Sequence, residues 1–189
     1  MDVTTTVTNV GRYIDVIVSA ADLQKWEAQG VADGAAAMRA GLKNARGLAN
    51  EASDDANVMG KITEHVVAFA LGIKKSESRS EDAGPYQVKG TKYPRGHLLV
   101  PPQHLRRTFQ GAPVPDDQIY ILVVQLQPLV FRICGWAAKR EILKAPLSSF
   151  NNPQRPPAHS LSQAELHSMD TLPTIDAMAS LKIERMENE

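Results

Sequence analysis

A stretch of thirteen residues, DAGPYQVKGTKYP at 82–94, brings together side chains that could do chemistry as a group. Its centre has the pattern of a strand, in which successive side chains point to opposite faces. Gln87 and Lys89 would share one face, while Tyr86 and Val88 would share the other. An amide oxygen and an ammonium group on one face can converge on a point, with the Val88 carbonyl oxygen beside them.

Two acidic residues could join this pair. Asp82 enters from the preceding turn, and Glu64 lies on a predicted helix, at the edge of its apolar stripe. Carboxylate, amide and backbone oxygens are the hard ligands that Mg²⁺ takes. An ammonium group near a metal-bound water can orient or deprotonate that water and offset phosphate charge. Hydrolysis of a phosphodiester needs these parts together.

Each of these residues also has a purely structural explanation. Asp82 can cap the turn that precedes a strand. Gln87 and Lys89 can form the solvated face of an edge strand, where polar alternation is common. Glu64 can be an ordinary exposed helix glutamate. Sequence spacing alone therefore leaves a catalytic and a structural interpretation open.

Basic residues follow the stretch. Cations of this kind can hold the phosphates of a nucleic acid in register, although solvated charge explains such residues equally well. The predicted DNA contacts are Lys92, Arg95, Arg106 and Arg107.

The composition limits the class of protein. With 43% hydrophobic and 22% charged residues, the chain is typical of a globular protein, and 189 residues suit one domain with terminal extensions. Basic and acidic residues number 21 each, so any surface for nucleic acid must be local. The single Cys134 excludes an internal disulfide. No secretion signal or membrane-spanning run is recognised, and we expect no membrane partner and a cytoplasmic location.

Several other chemistries lack a motif. The five histidines have no zinc-ligand spacing, the glycines form no phosphate-binding loop, and no GxSxG nucleophile motif occurs. A structural zinc site, a nucleotide hydrolase and a serine hydrolase are therefore disfavoured.

The elements that must position the candidate residues can be predicted coarsely. Residues 20–47 predict one or two helices interrupted near Gly30 and Gly34, and residues 57–71 predict an amphipathic helix that carries Glu64. NEASDDAN, between them, has the residue types of a turn and helix cap. Downstream we expect a prolyl turn with a short helix, antiparallel strands at 119–126 and 129–136, and another short helix at AAKREIL.

These elements predict an α/β fold, with a central mixed β-sheet flanked by helices and an N-terminal helical cap. We expect a helical extension at 1–50, the α/β core at 51–145, and a Pro-rich tail at 146–189 that packs on the core or extends from it.

The order of these parts resembles the PD-(D/E)XK, or restriction-endonuclease-like, nuclease superfamily, in the variant where Gln replaces the second acid. The similarity covers about residues 55–172. The tail is similar to the endings of small phage-type members. The segments that carry the resemblance are GKITEHVVAFALGI, QVKGT, DDQIYILVVQLQPLVFRICGWAAKREI and RPPAHSLSQAELHSMDTL.

The resemblance implies a restriction-endonuclease-like core and a metal-dependent DNA endonuclease that uses Mg²⁺ or Mn²⁺. Asp82 would be the central metal ligand, with Gln87 and the Val88 carbonyl completing the shell. Lys89 would position or activate the attacking water and stabilise the phosphorus centre. Glu64 would bind the metal directly or through water.

The partner implied is DNA, and a homodimer is possible, since many such nucleases act as dimers. A phage-encoded protein would act in the host cytoplasm. The alternative is a catalytically inactive module of the same fold that binds nucleic acid or a host protein, because Gln87 is neutral where an acid would hold the metal more tightly.

Overall fold

A five-stranded mixed β-sheet lies at the centre of the structure, a computed structural model that describes residues 4–39, 51–74, 82–106, 108–109, 112–150 and 156–174. The strands are β1 (Thr6–Asn9), β2 (Ile14–Ile17), β3 (Gln87–Thr91), β4 (Leu98–Val100), β5 (Thr108–Phe109), β6 (Ala112–Pro113), β7 (Ile119–Gln127), β8 (Val130–Ala138), β9 (Leu147–Ser148) and β10 (Ala158–Leu161). The helices are α1 (Ala20–Arg39), α2 (Glu51–Leu71), α3 (Pro102–Leu105) and α4 (Lys139–Ile142), with 3₁₀ turns at Gln163–Glu165 and Met169–Thr171.

The central sheet has the order β1-β2-β8-β7-β3. Its only parallel pair among the described strands is β3 with β7, and the other neighbours run antiparallel. The antiparallel pair predicted near residues 119–136 is therefore confirmed as β7 and β8. β3, which carries Gln87 and Lys89, lies at one edge of the sheet.

Two hydrophobic cores cover the two faces of this sheet. On one face, α1 and α2 pack over a cluster that includes Val88, Ile121 and Val123. On the other face, the small sheet β4-β10-β9 packs with α3 and α4 over a cluster that includes Tyr120 and Leu122. The molecule is thus a mixed α/β fold with the predicted central mixed sheet and flanking helices.

The helical extension predicted for residues 1–50 is only partly helical. β1 and β2 form an antiparallel hairpin, and β2 pairs with β8 in the central sheet. Helix α1 follows the hairpin. The strands were missed because a four-residue strand has too little periodicity to be distinguished from a loop.

The predicted interruption near Gly30 and Gly34 is wrong, since α1 runs through both glycines. A Cβ atom on Gly30 would lie 2.8 Å from the Cα of Val58, so glycine here allows α1 to approach α2 closely. Helix α2 begins at Glu51, and residues 51–57 of the segment that was expected to be a turn and cap form its first turns, while Asn50 lies outside the described residues. Packing between the helices overrides the weak local preference of these residues.

The described parts of the predicted C-terminal tail, residues 146–150 and 156–174, pack on the core. β10 pairs with both β4 and β9. Farther along, Trp136 and His167 exchange backbone hydrogen bonds of 3.1 and 2.9 Å. None of the described helices is long and apolar enough to cross a membrane.

Candidate functional site

A tight turn brings Asp82 back alongside the start of β3. The backbone amide of Asp82 donates to the Tyr86 carbonyl at 3.0 Å, and the Tyr86 amide donates to Ala83 at 3.1 Å. Gly84 has a positive φ of 55°, a conformation that glycine adopts without steric cost, and Pro85 follows it. The short distance in sequence between Asp82 and Gln87 is therefore closed by a Gly-Pro turn.

The carboxylate of Asp82, the peptide groups of Val88 and the ammonium of Lys89 meet at the edge of β3. The Val88 amide donates to Asp82 Oδ2 at 2.8 Å. Lys89 Nζ donates to the Val88 carbonyl at 3.2 Å and lies 3.8 Å from Asp82 Oδ2. Both side chains keep about a fifth to a quarter of their surface exposed, at 21% for Asp82 and 24% for Lys89.

The predicted alternation along this strand is confirmed. Tyr86 and Val88 are buried at 2% and 5% exposure in the core under α1 and α2. Gln87 and Lys89 are partly exposed and pair in register with Tyr120 and Leu122, on the opposite face of the sheet. The pattern holds because one face of β3 must fill the helix-covered core.

These contacts have a structural consequence as well as a chemical one. Among the described strands, β3 pairs only with β7, so its outer edge would leave peptide groups without a strand partner. Asp82 accepts a hydrogen bond from the outward N–H of Val88, and Lys89 donates one to the outward carbonyl of the same residue. Asp82 and Lys89 therefore satisfy the hydrogen bonding of the Val88 peptide groups. The same contacts place a carboxylate, a carbonyl and a cation at one point.

Residues that support this edge were not identified from the sequence. Gln118 donates from Nε2 to the Pro85 carbonyl at 2.7 Å, which holds the turn against β7. The Tyr120 ring lies 5.9 Å from Lys89 Nζ. Tyr86 donates its hydroxyl to the Pro173 carbonyl at 2.7 Å, and burial raises the pKa of this phenol. These contacts join residues distant in sequence, and no local pattern signals them.

Glu64 lies on α2, next to a residue that packs on β3. The side chain of its neighbour Thr63 fills the space above Gly90, where an added Cβ would meet Thr63 Oγ1 at 2.5 Å. The Glu64 carboxylate accepts a hydrogen bond from Lys61 at 3.0 Å, and Lys61 also lies 3.3 Å from Asp33 of α1. The metal role of Glu64 stays a prediction.

The charge state of Lys61 follows from these neighbours. Burial alone would lower the pKa of its ammonium group, but the carboxylates of Glu64 and Asp33 outweigh burial and raise it. Lys61 therefore remains a cation that offsets part of the negative charge of Glu64.

The structure describes three of the four residues that were predicted to contact DNA. Lys92 Nζ pairs with Asp55 Oδ2 at 2.9 Å, and Arg95 and Arg106 are exposed. Arg107 lies outside the described residues.

The donors at the edge of β3 suit a hard cation. Asp82 offers a carboxylate and Val88 a carbonyl oxygen at this edge, and Gln87, the preceding residue of the strand, has an amide oxygen. All three are oxygen ligands of the kind Mg²⁺ takes. Within the described residues, no three His, Cys, Asp or Glu side chains are grouped to hold a metal ion. The ligand set of Asp82, Gln87 and Val88 has one carboxylate, one amide and one backbone carbonyl, so it is not a cluster of that kind.

Comparison with known proteins assigns the chain to no family. No protein-family model, curated protein or solved structure matches the chain.

Proposed function

We propose that this protein is a metal-dependent DNA endonuclease whose site is the edge of β3. The observation that carries the proposal is the meeting of the Asp82 carboxylate, the Val88 carbonyl and the Lys89 ammonium within hydrogen-bond or ion-pair distance. Gln87 lies on the same strand face as Lys89. A hard-ligand set beside a cation is the combination that phosphodiester hydrolysis requires.

Each residue has a role in this proposal. Asp82, Gln87 and the Val88 carbonyl would hold Mg²⁺ or Mn²⁺, and Glu64 would add a direct or water-mediated contact. The bound metal would supply a Lewis acid for the phosphoryl oxygens. Lys89 would orient the attacking water and stabilise negative charge on the phosphoryl group. Lys92, Arg95, Arg106 and Arg107 would hold flanking phosphates.

The test compares cleavage by the wild type with that by Asp82→Asn and Lys89→Ala. Asparagine keeps an oxygen that can accept from the Val88 amide but removes the charge that a metal needs, so the strand edge is preserved. We expect each variant to lose at least about a hundredfold of activity, in line with the removal of an electrostatic or acid–base group. Duplex, single-stranded and branched DNA are assayed with Mg²⁺ and with Mn²⁺.

The matched control is Lys144→Ala, which removes an exposed lysine just after α4. It should cleave like the wild type, and thermal melts should show that all variants are folded. Full activity in both Asp82→Asn and Lys89→Ala would rule out this site.

A second function, a catalytically inactive module that binds nucleic acid or a host protein, is favoured by one specific observation. Asp82 and Lys89 already satisfy the free peptide groups of Val88, which gives them a structural role without catalysis. Calorimetry with Mn²⁺ distinguishes the two functions. Absence of metal binding by the wild type, together with tight DNA binding in EDTA, would support a nucleic-acid module.

A further inference from the structure

We propose that the turn of residues 92–96 is a stacking platform for an unpaired base, so that the substrate of the β3 site is single-stranded or locally unpaired DNA. This inference rests on the proposed nuclease function and specifies its substrate class. The structural basis is Tyr93, whose side chain is the most exposed large hydrophobic group of the described residues at 76%.

Tyr93 is placed close to the proposed reaction centre. It lies just beyond the end of β3, four residues after Lys89. At about 3.3 Å per residue, this segment reaches at most about 13 Å. With about 3.4 Å between stacked nucleotides, the ring would meet a base within a few nucleotides of the scissile phosphate.

Hydrogen bonds hold the backbone of the turn that carries Tyr93. The Tyr93 amide donates to Thr91 Oγ1 at 3.2 Å, and the Gly96 amide donates to the Tyr93 carbonyl at 2.8 Å. From the C-terminal region, Gln163 Nε2 donates to the carbonyls of Pro94 at 2.8 Å and Gly96 at 3.1 Å. Because the backbone of the turn is held from both sides, the ring is presented from a defined position, which lowers the cost of ordering the turn on binding.

The charges around the ring suit a nucleic-acid strand. Lys92 and Arg95 flank Tyr93 and are exposed. Lys92 pairs with Asp55, but both side chains are largely exposed, at 54% and 78%, and such a pair is weak enough for a phosphate to replace it. Lys92 and Pro94 also line an open groove with residues 125–128 at the end of β7, which offers a path for the nucleic-acid strand.

Stacking on Tyr93 distinguishes single strands from duplex. A base in a duplex already has both of its faces covered by neighbouring bases, and taking it out of the stack costs free energy. An unpaired base has a free face, and an aromatic side chain stacks on it with little dependence on sequence. The ring therefore favours unpaired DNA over intact duplex.

The test measures binding in EDTA, so that its result does not depend on cleavage. The probes are a fluorescein-labelled oligothymidine and a blunt duplex of equal length, titrated by fluorescence anisotropy. We expect Tyr93→Ala to weaken binding of the single strand by about tenfold and Tyr93→Phe to bind like the wild type. Asp55→Asn should strengthen binding a few-fold, because it releases Lys92 from its ion pair.

The matched control is Phe69→Ala, which removes another exposed ring, on α2. It should leave binding unchanged. The backbone hydrogen bonds of Tyr93 do not involve its ring, so Tyr93→Ala should fold. As a direct readout, photocrosslinking of a 5-iodouracil oligonucleotide should label the peptide that contains Tyr93.

Three outcomes would overturn the inference: no binding of the single strand by the wild type, equal binding by Tyr93→Ala, or equal Tyr93 dependence for the blunt duplex. If neither the wild type nor any variant cleaves DNA, but single-strand binding still depends on Tyr93, the result counts against the nuclease proposal alone. The two failures are therefore distinguishable.

Discussion

Asp82 and Lys89 show how one pair of side chains can serve the strand and the proposed chemistry together. Their contacts satisfy the peptide N–H and carbonyl of Val88 on an edge strand. The same contacts hold the carboxylate and the ammonium close to each other before any ligand binds. A preorganised charge pair costs less to use than one that must be assembled.

Gln87 is the residue that decides how strongly this site would hold a metal. A carboxylate at this position would add one negative charge to the shell, and Mg²⁺ or Mn²⁺ affinity rises with ligand charge. We predict that Gln87→Glu tightens Mn²⁺ binding by about threefold to tenfold, or about 0.7–1.4 kcal/mol. Isothermal titration calorimetry measures the change.

The control for this prediction is Gln103→Glu, which adds the same charge at an exposed position of α3. Its Mn²⁺ affinity should match that of the wild type. Equal affinities in Gln87→Glu and the wild type would show that residue 87 is not a metal ligand.

The close approach of α1 and α2 depends on glycine at one crossing point. Gly30 faces the backbone of Val58, and a methyl group there has no flexible side chain to displace. Gly60, in the middle of α2, has nothing within 4 Å of the position of an added Cβ. Packing between the helices thus requires glycine at position 30 but not at position 60.

We predict opposite effects of alanine at these two positions. Gly30→Ala should lower the free energy of unfolding by about 1–2 kcal/mol, because overpacking outweighs the better helix propensity of alanine. Gly60→Ala should raise it by about 0.5–1 kcal/mol. Urea denaturation followed by circular dichroism tests both, and equal shifts of the same sign would contradict the packing explanation.

The described C-terminal residues 156–174 are part of the folded core and contribute to its stability. The His167 ring stacks on Trp136 with 4.4 Å between ring centroids, and its Nε2 lies 2.8 Å from Glu141 Oε1. Glu141 also accepts a hydrogen bond from the Ala138 amide at 2.8 Å. The cluster joins β8, α4 and the tail.

This cluster predicts a pH dependence of stability. Partial burial alone would raise the pKa of Glu141, but the hydrogen bonds from His167 and Ala138 hold it below the ordinary value of 4.5. Because the folded pKa is the lower one, this stabilisation is present above about pH 4.5 and is lost as the pH falls through the folded value. Glu141→Gln should therefore lower the Tm at pH 7, with a difference from the wild type that shrinks toward pH 3.

Thermal melts between pH 7 and pH 3 test this dependence. Glu27→Gln, an exposed change on α1, serves as the control for loss of a surface carboxylate. A Tm difference between Glu141→Gln and the wild type that stays constant across this range would contradict the prediction.

Local periodicity was enough to determine several features from the sequence alone. The alternation through Tyr86, Gln87, Val88 and Lys89 predicted which side chains share a face, and burial confirms it. The pairing of two apolar segments around a short turn was equally predictable. Each of these features depends on neighbours in the chain.

Tertiary structure decided what those elements contact. The hairpin of β1 and β2 joins the sheet, α1 continues through Gly30, and the tail packs on β4, because each arrangement buries surface against a distant segment. The meeting of Asp82 and Lys89 around the Val88 peptide likewise requires the Gly-Pro turn and the free edge of β3. A sequence encodes the period of an element locally, whereas its partner is selected by packing in three dimensions.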